Sequence, residues 1–142
     1  CSGLHRSHNG DCIRQIRNQF MAHFIYEYSS NLDSALLDMA GLMAKMHAKA
    51  DESGIFPLAG IRSRAIRCDE FRVGDGTPTN GFVNLSMKVG RGRTPETRLE
   101  IGKELFDLLI EHLEPIFQKQ GLAVSFEMRE LEEKVKFNKK NL

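Results

Sequence analysis

The chain has 142 residues, 41% hydrophobic and 27% charged, a size and balance that fit one compact domain built on one core. Twenty basic against 19 acidic side chains leave a formal charge of +1, which gives no electrostatic ground for a nucleic-acid or other polyanionic partner. No run approaches the roughly 18 apolar residues of a membrane span, the first twenty residues lack the apolar centre of a secretory signal, and three cysteines (Cys1, Cys12, Cys68) are too few for a disulfide framework, so a cytoplasmic protein with free thiols is expected.

Residues 1–20 hold two of the three cysteines, two of the five histidines and a single acid, with no apolar period, and read as an extension to a domain spanning 21–142. Cys1, His5, His8 and Cys12 are potential metal ligands, but they lack the second, distant ligand pair of a zinc knuckle. No metal is expected there, and the segment reads as an arm packed on the domain or on a neighbour. Met21, followed by a small residue, could also serve as a start.

The periodic part opens with HFIYEY, 23–28, aromatic and β-branched as a strand requires. Ser30 or Asn31 offers an N-cap, and Leu32, Leu36, Ala40, Met43, His47 and Ala50 recur at three and four, predicting one helix stopped by Gly54. After Pro57, residues 60–73 predict a strand too long to be flat, with a bulge or bend. The dense turn signal GDGTPTNG, 74–81, joins the halves. A second strand–helix–strand set follows. Val83, Leu85, Met87 and Val89 alternate on one face, and Thr94 caps a helix with Pro95 at its first position and Leu105, Leu109, Leu113 and Phe117 on one stripe. Pro115 predicts a kink or early end near 111–116, and Gly121 closes the element. Residues 122–130 alternate as the last strand, with Leu122, Val124, Phe126 and Met128 inward.

Two βαβ units of this kind merge into one four-stranded mixed sheet with both helices on one face, an α+β architecture. The other face, carrying part of the set His23 to Tyr28, is expected to be apolar enough to need covering by oligomerisation.

Chemistry-bearing motifs are sparse: there is no phosphate-binding glycine loop, no GxSxG, no HExxH and no CxxC. Arg62 and Arg64 share one face of a strand, and Arg93 lies where a strand gives way to a capped helix. Guanidinium groups at strand ends and helix starts can grip carboxylates through paired hydrogen bonds, so a dicarboxylate or a polarised carbonyl is the ligand they suit; the plain alternative is solvated arginines balancing Glu27, Glu70 and Glu127. His23, His47 and His112 have no recurrent spacing, and Met39, Met43 and Met46 read as core.

The segments AHFIYEYSSN (22–31), SGIFPLAGIRSRA (53–65), MKVGRGRTPETR (87–98) and LAVSFEMRELEEKVKFNKKN (122–141) together resemble the 5-carboxymethyl-2-hydroxymuconate Δ-isomerase family of the tautomerase superfamily. The resemblance spans about 120 residues, from Ala22 to Asn141. It implies a homotrimer with active sites between subunits and cofactor-independent proton transfer on an unsaturated 2-hydroxy or 2-oxo polycarboxylic acid in aromatic catabolism. In the family an amino-terminal proline is the base and arginines hold the carboxylates. Arg62 and Arg93 match those arginines and could come from different subunits, with Arg64 as a further substrate contact. The proline position is Ala22, and here it is preceded by other residues, so its nitrogen is an amide unless the chain is cut after Met21. The resemblance therefore carries two readings: an isomerase whose base is the freed Ala22 amine, and a catalytically silent relative binding a small carboxylate or a protein. A third class, an RNA-binding sheet, would need a basic surface that the near-neutral charge does not supply.

Overall fold

The computed structural model describes residues 21–132, 135 and 137–142; the extension 1–20, with the metal-ligand candidates Cys1, His5, His8 and Cys12, lies outside the described residues. Strand β1 (Ala22–Ser29) pairs in parallel with β2 (Ile61–Cys68) and antiparallel with β3 (Gly81–Val89), and β3 pairs in parallel with β4 (Leu122–Glu130). The order β2-β1-β3-β4 makes each half a βαβ unit and joins the halves through the two central strands. Between β1 and β2 run helices α1 (Ser34–Leu37) and α2 (Met39–Glu52) and a 3-10 turn (Leu58–Gly60); α3 (Pro95–Phe117) connects β3 to β4. Phe24, Tyr26, Val83, Leu85, Met87 and Val89 from the sheet pack with Leu42 and Met46 of α2 and Leu105, Leu109 and Leu113 of α3 in a single core, so the helices cover one face, as the paired βαβ pattern predicts.

Four expectations need correction. The helix predicted from residue 30 is two helices. Asp33 Oδ1 caps α1 through the backbone N–H of Ala35 (2.9 Å) and Leu36 (3.2 Å), and Asp38, left-handed at φ 39°, ends α1 and caps α2 through the Gly41 N–H at 3.2 Å. The break rotates the stripe, so Leu37, Leu42, Met46 and Ala50 are buried while Ala40 is exposed. A side chain at position 41 would collide with the Asp38 carboxylate, which is why glycine stands there. The long strand 60–73 stops at Cys68, and its bulge is not needed, because residues 69–73 turn away towards the junction between the halves. Pro115 does not end α3 early: the helix runs to Phe117, and Pro115 lies on its exposed side in the last turn, where few carbonyls remain to be satisfied.

The fourth correction concerns the uncovered sheet face. Alternation sends Phe24 and Tyr26 into the core, so the opposite face carries the cross-strand rows Arg62, His23, Lys88, Arg129; then Arg64, Ile25, Ser86, Glu127; then Ile66, Glu27, Asn84, Ser125; and at its far end Cys68, Ser29, Phe82 and Ala123. Its apolar residues, Ile25, Ile66, Phe82 and Ala123, are a minority among charged and polar ones. The face is thus more polar than the aromatic run 23–28 suggests, and an assembly through it cannot rest on hydrophobicity alone.

Candidate active site

Register brings one end of every strand together. The start of β1 (Ala22) lies beside the start of β2 (Ile61) and the end of β3 (Val89), and Val89 lies beside the end of β4 (Glu130). Ala22 is fully buried, and the backbone continues the pairing outward, the Gly90 N–H donating to the Met21 carbonyl at 3.1 Å and the Leu131 N–H to the Val89 carbonyl at 2.8 Å.

Arg93 is fixed beside this end. Its Nη1 donates to the Gly90 carbonyl (2.8 Å), its Nη2 to the Ile55 carbonyl (2.9 Å), and its guanidinium carbon sits 4.3 Å over the ring of the buried Phe56. One guanidinium thus ties the loop before β2 to the loop after β3, the two loops that flank Ala22. Burial pulls its pKa down to about 10, with the Glu130 carboxylate opposing the shift, so the group stays cationic at neutral pH. The Glu130 carboxylate lies 2.9 Å from Arg98 Nε and 3.9 Å from Arg91 Nε. Arg62, Lys88 and Arg129 share the first row of the open face at this same end. A chain close to neutral overall therefore gathers Arg62, Lys88, Arg91, Arg93, Arg98 and Arg129 around one strand terminus against the paired acids Glu127 and Glu130, a net positive balance that favours anions.

Arg62 is half-buried beside His23, on the sheet face opposite the Ala22 side chain, and Arg64 is exposed two residues on. Among the described residues neither makes an ion pair with Glu27 or Glu70, so of the plain alternative the solvated form fits Arg64, and Glu127 pairs with Arg129 at 3.7 Å. Within one chain, then, Arg93 is built into the region of Ala22, while Arg62 is turned away from the Ala22 side chain.

The histidines have mainly structural surroundings. His47 Nε2 meets Ser63 Oγ at 2.5 Å and its ring lies 5.9 Å from that of Phe24; burial lowers its pKa. His112 Nε2 donates to the Leu37 carbonyl at 2.7 Å, which leaves Nδ1 to accept from Lys45 Nζ at 3.0 Å, so one ring straps α1, α2 and α3 together. Burial pushes the Tyr26 phenol up, keeping it protonated. Among the described residues no three His, Cys, Asp or Glu side chains gather as a metal site requires, and no helix is long and apolar enough to cross a membrane. Sequence reasoning missed Arg91, Arg98 and Glu130; KVGRGRTPETR signals density of charge, but the partner Glu130 is 32 residues beyond Arg98 and meets it only through the β3–β4 register.

Paired βαβ units in one mixed sheet, with helices on one face, are the fold of the tautomerase superfamily. A solved structure described as a fused 4-OT symmetric trimer shares the fold, with a TM-score of 0.55, 18% identity, and coverage of 77% of this chain and 85% of that one. More narrowly, residues 22–142 match the 5-carboxymethyl-2-hydroxymuconate isomerase family, and the chain belongs to it. It is 38% identical over 122 residues to the 5-carboxymethyl-2-hydroxymuconate Delta-isomerase of Escherichia coli, covering 86% of this chain and 96% of that protein. The crystal structure of a 5-carboxymethyl-2-hydroxymuconate isomerase from Deinococcus radiodurans R1 superimposes with a TM-score of 0.82 at 34% identity, covering 89% of this chain and 94% of that one.

Proposed function

We propose that this protein is a cofactor-independent isomerase that shifts a double bond in an unsaturated 2-hydroxy or 2-oxo polycarboxylic acid, with 5-carboxymethyl-2-hydroxymuconate as the substrate to test first. The observation that carries the reading is the clamp of Arg93 on Gly90 and Ile55 around a fully buried Ala22, in a chain whose family match begins at residue 22. A neutral amine at that position takes a proton from the dienol substrate and returns it to a different carbon, so the double bond moves and no electron is gained or lost. Arg93 grips a substrate carboxylate through the donors it does not spend on the two carbonyls. Arg62, on the opposite sheet face, supplies the second grip from a neighbouring copy of a homotrimer, with Arg64 behind it, and this geometry is the reason for proposing the assembly. The surrounding arginines suit a substrate with several carboxylates.

The base is the Ala22 amine freed by removal of residues 1–21. An α-amino group ordinarily titrates at about 8, and a site as desolvated as that of Ala22 lowers this towards neutrality. Three ultraviolet assays test the proposal: the full chain, the chain shortened to begin at Ala22, and the shortened chain carrying Ala22→Pro. The full chain should be close to inactive and the shortened chain active. The proline form should be faster still, because a rigid secondary amine is a better-placed base and a positioned base is worth roughly 100-fold to 10,000-fold. Equal turnover by all three would remove the amine from the mechanism and leave His23 or Glu27 as candidate bases. A second reading, a silent binder of small carboxylates, is favoured by the acylated Ala22 nitrogen of the full chain; calorimetric binding of the substrate by all three forms without turnover by any would establish it.

A further inference from the structure

The sheet has a second end, away from Ala22. Strand β1 runs from Ala22 to Ser29, so Tyr28 lies six residues along it, about 20 Å from the candidate active site. At this end the turn leaving β1, helix α1, the first residue of α2 and the end of β2 surround a cavity of about 210 Å³. Taking about 30 Å³ as the share of one water molecule, it has room for about seven non-hydrogen atoms.

Its walls are of two kinds. Leu32 and Leu37 are buried and Met39 is half-buried, which makes part of the lining apolar. The rest is Tyr28, Ser30, Ser34 and Arg67, with Arg67 directly beside Tyr28 in the β1–β2 register. These polar groups are unspent. Ser30 and Ser34 use only backbone atoms, the Ser30 N–H donating to the Cys68 carbonyl at 2.9 Å and the Ser34 carbonyl accepting from the Asp38 N–H at 3.0 Å, so the three hydroxyls have no hydrogen-bond partner among the described residues. Arg67 Nε lies 3.5 Å from Asp69 Oδ1, an exposed pair of little energetic weight, and no N–H of its guanidinium is committed to a hydrogen bond among the described residues. No acid lines the cavity.

Such a lining selects its ligand. The guanidinium repels cations and offers paired donors that match a carboxylate, and the hydroxyls add further donors. A bare phosphate would leave Leu32, Leu37 and Met39 uncovered, whereas an alkyl chain covers them. The volume is too small for the polycarboxylate proposed at the Ala22 end. We infer that this cavity binds a short-chain monocarboxylic acid, its carboxylate held by Arg67 and the hydroxyls of Tyr28, Ser30 and Ser34, and its alkyl chain set against Leu32, Leu37 and Met39. The site shares no residue with the Ala22 end, so it is separate from the proposed reaction and does not rest on it. Its ligand touches both α1 and α2, on either side of Asp38, and so braces the break between them.

The test uses the full chain carrying carbon-13 in its methionine methyl groups, titrated with sodium butyrate at constant ionic strength and followed by nuclear magnetic resonance. Met39→Leu assigns the Met39 signal. That signal should move and saturate with a dissociation constant of about 1 mM, which six non-hydrogen atoms reach at ordinary ligand efficiency. Arg67→Gln should weaken the binding at least about fivefold and Tyr28→Phe about threefold, with circular dichroism of each variant reading its folding. A Met39 signal that stays still or never saturates overturns the inference, as does an unchanged dissociation constant in folded Arg67→Gln. Inorganic phosphate, which lacks the chain, and 1-butanol, which lacks the charge, should each bind at least about tenfold more weakly than butyrate. A response to either that equals the response to butyrate overturns the choice of a carboxylic acid.

Discussion

Replacing Arg93 by Met keeps the length of the side chain and removes everything that makes it a clamp. Two charged-donor bonds, to Gly90 and Ile55, disappear together with the contact over Phe56. Hydrogen bonds from charged donors are worth about 1.5–3 kcal/mol each, and a cation over an aromatic ring adds about 0.5–2 kcal/mol. Two effects reduce the total: the site is half-open, so water can satisfy part of the carbonyls, and the pKa drawn down to about 10 shows that burial disfavours this charge. The net expectation is a loss of about 2–3 kcal/mol. Arg93→Lys, which keeps the charge but cannot span two carbonyls with a planar fork, should lose about half of that. Urea unfolding followed by far-ultraviolet circular dichroism, at one fixed protein concentration, measures both. A Met variant within about 0.5 kcal/mol of the parent would refute the clamp, since that is the ordinary range for a surface substitution. On the proposed mechanism, the Lys variant of the chain shortened to Ala22 should also raise KM more than it lowers kcat, because that mechanism gives Arg93 a grip on the substrate and not the proton transfer.

Because burial lowers the His47 pKa below 6.5, the folded protein resists protonating it while the unfolded chain does not; its stabilising contribution is complete above pH 6.5 and is lost as pH falls below that. The thermal midpoint should therefore fall less steeply from about pH 7 to about pH 5 in His47→Gln than in the parent, and an identical slope would assign the effect to other groups. Asp38→Gly should cost only a few tenths of a kcal/mol, but Asp38→Ala about 1–2 kcal/mol, because alanine loses the cap and must still hold φ 39°; equal losses in denaturant titrations would show that backbone strain is unimportant there.

The sequence alone determined the order of elements and the double βαβ plan, because the signals involved are local. Alternation over 82–89 and 122–130 specifies strands, Thr94 with Pro95 specifies a helix start, and Gly54 an end. It also carried the family, through runs such as GIFPLAGIRSR. Its errors were errors of phase and termination. Two aspartate caps five residues apart, Asp33 and Asp38, divide a helix that an apolar stripe reads as continuous, and a strand ends at Cys68 where no further partner strand is available, something no local pattern records.

Tertiary structure decided the rest, because it depends on register. Which residues share a face follows from a twofold period, but which strands lie side by side is set by core packing, and that pairing put Arg62, His23, Lys88 and Arg129 in one row. The same pairing brought Glu130 to Arg98 and Arg91, and Gly90 to Met21. Arg93 was legible as a charged residue at a helix start; that its donors would close on the carbonyls of Ile55 and Gly90 was not, since Ile55 is 38 residues away and carbonyls leave no mark in a sequence.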